Sequence, residues 1–259
     1  MDDVHKRRYL VIGGTSGIGR ATVEYLVAQA GAAVIFCGRN VERGKELAAG
    51  LEERAPGCAR FFAADVTSQL DVDALFAFVR ASFPRLDGAF NAAGVIGRDT
   101  RSRGVRFHES TEAELERVFA VNMKGIWRCL KHELALMDAQ QAGSIVNCSS
   151  VAGLRSADSR SVAYTASKHA LVGMTRALAV EYAAAGIRVN AVCPGVIDTE
   201  MLGGLKEHLV RDLVAKNPGA RLGTAEEVAT AVEFLLSERA SYISGAVLTI
   251  DAGGLTGAL

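Results

Sequence analysis

The chain has 259 residues, 49% hydrophobic and 22% charged, with 29 Lys+Arg against 29 Asp+Glu. That composition excludes a disordered or fibrous protein and leaves enough chain to bury a large core. A formal net charge of zero gives no global pull toward nucleic acid or an anionic membrane, and no uninterrupted apolar run reaches bilayer-spanning length.

The first residues, Met1 to Arg8, hold no long apolar stretch, so a secretory signal is not expected and the cytoplasm is the expected location. Five cysteines (Cys37, Cys58, Cys129, Cys148, Cys193) are odd in number and widely spaced, without a CxxC. Reduced thiols are expected, and no metal site. The strand-like run 9–12 leads straight into Gly13-Gly14-Thr15-Ser16-Gly17-Ile18-Gly19, and Val23, Leu26, Val27 and Ala30 then mark a helix. A glycine-rich turn between strand and helix lets backbone amides approach a pyrophosphate at the helix N-terminus. Its bland alternative is a tight turn. The next strand-like run, 34–37, ends in Gly38-Arg39-Asn40. An NAD site carries an acid there for the ribose 2′-hydroxyl. Arg39 suits a 2′-phosphate instead, so NADP(H) is expected ahead of NAD(H). The plain alternative is that Arg39 is a solvated residue opening the next helix.

Further short runs lie at 60–63, 88–90, 144–148, 188–192 and 247–250, separated by helical periodicities. The last helix is marked by Val228, Ala231, Val232, Leu235 and Leu236 behind a Thr224…Glu227 capping box. This alternation predicts an α/β, doubly wound Rossmann fold, with a seven-stranded, mainly parallel sheet and helices on both faces. No linker, repeat or low-complexity tract interrupts it, so one domain over 1–259 is expected.

Asn122 lies seven residues after Leu115, on the apolar face that Leu115, Val118 and Phe119 define behind a Thr111…Glu114 capping pattern. A core-facing amide needs hydrogen-bond partners, whether it is structural or functional. Ser149 and Ser150 follow the strand 144–148, at the strand end where open α/β sheets bind ligands. No Gly-x-Ser-x-Gly elbow surrounds either, which disfavours a serine hydrolase. Tyr164 and Lys168 stand four residues apart on one helix face. An ammonium fixed beside a phenol favours the phenolate, so Tyr164 can exchange a proton with an alcohol or carbonyl oxygen. Alone, this spacing also suits an ordinary surface helix.

Together these motifs resemble the short-chain dehydrogenase/reductase family in its compact single-domain form, from residue 9 to about residue 254. Gly13, Gly17 and Gly19 match the family's glycine motif, which implies cofactor contacts along Thr15, Ser16 and Ile18. Asp65, with Val66 after it, matches the acid that meets the adenine ring. Asn91-Ala92-Ala93-Gly94 is similar to the family's Asn-Asn-Ala-Gly turn, with Ala92 in place of the second Asn. The resemblance implies a tetrad of Asn122, Ser150, Tyr164 and Lys168, and selects Ser150 over Ser149 because it directly precedes Val151-Ala152-Gly153. In that tetrad Lys168 also holds the nicotinamide ribose and Asn122 supports a proton relay. Pro194-Gly195, with Ile197 and Thr199 beyond, resembles the segment at the nicotinamide, and Asp251-Ala252-Gly253-Gly254 the C-terminal signature. The resemblance thus implies an NAD(P)(H)-dependent oxidoreductase on a small-molecule secondary alcohol or ketone, assembled as a homotetramer.

Substrate choice is expected from loops at about 95–110, 154–161 and 200–219. The first carries Arg98, Arg101, Arg103 and Arg106 against Asp99 and Glu109, which reads as a solvated or subunit-contact loop, or as a site for an anionic substrate. The last, with Met201, Leu202, Leu205, Leu209 and Leu213, reads as an amphipathic lid or as core packing. Arg128 matches a docking arginine of acyl-carrier-protein ketoreductases, but their second docking position is Ala185 here. A 3-oxoacyl-acyl-carrier-protein reductase-like enzyme and a non-catalytic cofactor-sensing regulator remain the alternatives.

Overall fold

A computed structural model describes residues 6–96, 106–155, 161–202 and 207–256. The strands are β1 (Arg8–Ile12), β2 (Ala33–Gly38), β3 (Ala59–Ala63), β4 (Gly88–Asn91), β5 (Gly143–Cys148), β6 (Ile187–Pro194) and β7 (Val247–Ile250). They form one sheet in the order β3-β2-β1-β4-β5-β6-β7, and every pairing is parallel. The seven expected strands are all present, most of them longer by one to three residues.

β1 shows why the sheet is covered on both faces. All five of its residues are buried. Leu10 and Ile12 enter one apolar core, and Tyr9 and Val11 the other, as the two-residue period of a strand requires. The first core is completed by α3 (Gln69–Ser82), α5 (Ile126–Gln140) and α6 (Val162–Glu181). The second is completed by α1 (Gly17–Ala28), α2 (Val41–Arg54) and α8 (Ala225–Leu236). Two shorter α-helices among the described residues are α4 (Glu112–Phe119) and α7 (Glu207–Ala215). The strand order reverses at β1, whose neighbours are β2 and β4. A crevice opens outside the strand ends at such a switch point.

The Thr224…Glu227 box forms in full: each side chain receives the other residue's backbone N–H. At α4 Thr111 accepts from Glu114 N–H. The inward stripe of α4 runs through Glu114 and Val118 to Val121 and Asn122, all buried. Leu115 is therefore on the flank and 45% exposed, not on the apolar face expected for it. The chain from Ala120 to Gly125 is one π-helical turn, and this widening brings Asn122 onto the buried side.

The five cysteines are free and buried. Among the described residues no helix is long and apolar enough to cross a membrane. Gly50 sits inside α2 with open space where a Cβ would go. Gly50→Ala is expected to raise stability by about 0.5–1 kcal/mol, because alanine loses less backbone entropy in a helix. Thermal unfolding of the two proteins checks this.

Candidate active site

The turn after β1 is built by close backbone approach. Gly13 and Gly14 both donate N–H to Cys37 O, at 3.0 and 2.8 Å. Gly13 has φ +83°, and a Cβ there would lie 2.7 Å from Ala93 N. A Cβ on Gly19 would lie 2.1 Å from Gly13 O. Only glycine fits either position, so the start of α1 lies hard against the ends of β1 and β4. Thr15 is buried beneath the turn, touching the space above Gly38, and Ile18 packs into the second core. Ser16 precedes α1 but makes no side-chain cap. Glu200 instead accepts Gly17 N–H at 3.1 Å, with Arg43 3.7 Å from its other oxygen. A carboxylate at this helix N-terminus occupies ground suited to any anion.

Arg39 and Asp65 meet beyond β2 and β3, with Nη1 and Oδ2 3.8 Å apart. Asp65 Oδ1 also accepts the N–H and O–H of Thr67, both at 2.8 Å. The ion pair is partly exposed and long, and is worth little. Val66 is buried against Gly125, and its carbonyl accepts from Arg128.

The four residues expected to form a tetrad come from three places: Asn122 from the π-helical turn, Ser150 from the chain just past β5, and Tyr164 and Lys168 from α6. Tyr164 and Lys168 are buried on the first turns of α6, whose N-cap Ser161 accepts Tyr164 N–H. Lys168 Nζ donates to Cys148 O at 2.7 Å and lies 5.6 Å from the Tyr164 ring centre. A Cβ on Gly94 would be 3.4 Å from Lys168 Nζ and 3.6 Å from Asn122 Oδ1, so these three residues line one small space. Asn122 Oδ1 accepts Val95 N–H at 2.8 Å, and its Nδ2 donates to Val95 O and Ser167 Oγ. Ser149 and Ser150 divide clearly. Ser149 is buried and donates its hydroxyl to Lys168 O at 2.9 Å. Ser150 is half-buried, and its Oγ accepts Ala152 N–H at 3.1 Å, which leaves its own hydrogen to give.

Across the crevice, Gly195 donates N–H to Ile250 O and leaves no room for a Cβ beside Asp251. Ile197 is buried and pairs with Gly223. Thr199 faces Gly17, where a Cβ would meet it at 3.4 Å. Pro194, the end of β6, thus starts a segment that closes over the glycine turn. Asn91 ends β4 and is buried. Ala92 N–H donates to Ile12 O at 2.8 Å and ties the 91–94 turn to β1.

Arg98, Asp99, Arg101, Arg103, Leu205 and most of the 154–161 loop lie outside the described residues, as does the side chain of Leu209. Two residues of this region carried no expectation from sequence. Glu200 has no sequence signal. Glu133 has one: it falls on the buried stripe of α5 with Ile126, Cys129, Leu130, Leu134 and Met137. Burial pushes its carboxyl up to about 7.

A family model described as enoyl-(acyl carrier protein) reductase matches residues 13–255. The levodione reductase of Leifsonia aquatica is 36% identical over 256 residues, covering 95% of this chain and 93% of that protein. A crystal structure of levodione reductase superposes with a TM-score of 0.89 at 35% identity, covering 97% and 98% of the two chains. The cis-4-hydroxycyclohexanecarboxylate dehydrogenase of Sinomonas cyclohexanicum is 38% identical over 248 residues, 96% of each chain. The structure of ElxO with NADP bound has a TM-score of 0.87 at 30% identity, covering 97% and 99%. With its glycine turn, its parallel sheet and 30–38% identity to these proteins over nearly their whole length, the chain belongs to the short-chain dehydrogenase/reductase family.

Proposed function

We propose that this chain is an NAD(P)(H)-dependent oxidoreductase that interconverts a secondary alcohol and a ketone. The observation that carries the proposal is the convergence of Lys168, Asn122 and Gly94 beside Tyr164, at the sheet edge that also holds the glycine turn. The relatives' names, one a reductase and one a dehydrogenase of a hydroxy compound, agree with it. A turn closed to a Cβ at Gly13 and Gly19 and a helix N-terminus already holding a carboxylate fit a dinucleotide diphosphate, which would displace Glu200.

The cofactor, when bound, supplies or takes the hydride. In the reductive direction Tyr164 gives its phenolic proton to the substrate oxygen. Ser150 donates its free hydroxyl hydrogen to the same oxygen and steadies the charge that develops there. Lys168 stabilises the phenolate left on Tyr164 and keeps two further N–H bonds for the ribose. The Asn122 carboxamide is fixed by its bonds to Val95 and Ser167 and supports the proton relay from that position. Oxidation runs the same steps in reverse. Turnover of a panel of cyclic and acyclic ketones and alcohols with NADPH and NADH tests the activity. No turnover on any of them would favour a cofactor-sensing regulator.

NADP(H) is preferred over NAD(H) through Arg39. Arg39→Ala is expected to raise the KM for NADPH about 10–100-fold, the worth of one or two charge-assisted hydrogen bonds, and to leave the KM for NADH nearly unchanged. An unchanged KM for NADPH would remove Arg39 from the cofactor site.

The substrate pocket is assigned to the segments near 95–110, 154–161 and 200–219. Acyl-carrier-protein docking is disfavoured, because Arg128 is engaged internally with the carbonyls of Val66 and Thr67 at 3.3 and 3.2 Å. A homotetramer is favoured by exposed apolar side chains in two places: Leu115 and Trp127 on α4 and α5, and Val180, Tyr242 and Leu248 near the edge strand β7. Light scattering of the purified protein measures the assembly.

A further inference from the structure

Glu133 takes no part in the chemistry above, yet it is fully buried in α5. Its Oε2 accepts from Asn91 Nδ2 at 3.0 Å. The other Nδ2 hydrogen goes to Asn147 Oδ1, also at 3.0 Å. Asn147 Nδ2 donates to Thr175 Oγ1, which donates to Leu171 O. This chain of donors orients both amides, since each nitrogen is needed where it stands. Among the described residues two buried side-chain atoms remain without a partner, Asn91 Oδ1 and Glu133 Oε1. They belong to the same two side chains that already share a bond. If Glu133 is ionised, both are acceptors and neither can help the other. One proton on Oε1 satisfies both.

We propose that Glu133 is held as a neutral carboxylic acid paired edge to edge with the Asn91 carboxamide, Oε1–H donating to Oδ1 while Nδ2–H donates to Oε2. Glu133 is then a positioning residue. Asn91 opens the turn whose Ala92 is tied to Ile12 and whose Ala93 backs Gly13. Two bonds to Asn91, rather than one, fix where that turn leaves β4. The groups facing Glu133 agree with a neutral acid. Cys129 on α5 and Cys37 on β2 are thiols that burial keeps protonated, the latter pushed up to about 12. Asn91, Asn147 and Thr175 bring neutral amides and a hydroxyl from β4, β5 and α6.

Burial holds the folded carboxyl at about 7, above its value of about 4.3 in an unfolded chain. The folded state therefore binds the extra proton between these values. Stability contributed by the pair is complete below the lower value, falls as pH rises toward the upper one, and stays lost above it. Cofactor affinity, which involves only the folded protein, is expected to fall as pH rises through about 7.

The test uses the full chain. Infrared spectra are expected to show a protonated-carboxyl C=O band that titrates near neutrality and vanishes in Glu133→Gln. Glutamine presents N–H where the acid presents O–H, so Glu133→Gln is expected to keep NADPH affinity within about twofold of wild type at mildly acidic pH. It should also lose the wild-type decline above neutrality. Glu133→Leu offers Asn91 no partner and is expected to weaken NADPH binding about tenfold at every pH. The affinity readouts rest on the oxidoreductase proposal, whereas the infrared band does not, so the two fail separately. Absence of the band means an ionised or water-bridged Glu133 and overturns the pairing. A band with the same affinity profile in wild type and Glu133→Gln overturns the positioning role.

Discussion

Tyr164→Phe is expected to lower kcat by about 10²–10⁴-fold, the usual worth of a placed acid–base group, with little change in NADPH affinity. The change removes one oxygen from a buried ring and keeps the ring itself. The contacts that hold α6 in place do not involve that oxygen. Ser161 caps the helix through Tyr164 N–H, Ser149 bonds Lys168 O, and Lys168 bonds Cys148 O. The hydride carrier can therefore still bind, and Ser150 can still hold the substrate oxygen, but no group stands ready to exchange its proton. Steady-state turnover and a fluorescence titration with NADPH separate the two effects. A variant with near-normal kcat would remove Tyr164 from the mechanism, and one that loses NADPH would show that the phenol acts in binding.

Gly19→Ala should abolish NADPH binding and cost about 3 kcal/mol or more of stability, the upper end of overpacking. Its Cβ would sit 2.1 Å from Gly13 O and 2.9 Å from Gly13 C. Both are backbone atoms, and Gly13 is itself fixed by its bond to Cys37 O and by Ala93 on its other side. No side-chain rotation relieves the clash, so α1 must move away from β1. That movement takes the helix N-terminus and the amide of Gly17 off the line a diphosphate needs. Denaturant unfolding reads the stability loss, with Gly50→Ala as the harmless glycine replacement. Normal NADPH binding by a folded Gly19→Ala protein would mean that the diphosphate is held elsewhere.

Much of the fold and part of the site are readable from sequence because they rest on short-range geometry. The glycine turn, the Thr224 box and the Tyr164–Lys168 pair each lie within a few residues, and turn or helix geometry alone sets their spacing. Strand order is less local, but alternation of buried runs with helical stripes leaves few arrangements for a parallel sheet. Leu115 shows the limit of periodicity. A π-helical turn at 120–125 changes the phase of the helix, so a stripe counted backward from Asn122 lands on the wrong residue. The resemblance selects Ser150 over Ser149, but the physical reason, that the Ser149 hydroxyl is taken by Lys168 O 19 residues away, lies in the tertiary structure.

What the sequence by itself determined is the parallel α/β architecture and the kind of chemistry, because both depend on residue type and local spacing. Only the tertiary structure decided which polar groups share a partner. Glu133 and Asn91 meet across 42 residues, and Glu200 reaches Gly17 across 183. Such contacts follow from strand order and helix packing, which bring distant segments to one sheet edge, and no periodicity along the chain encodes them.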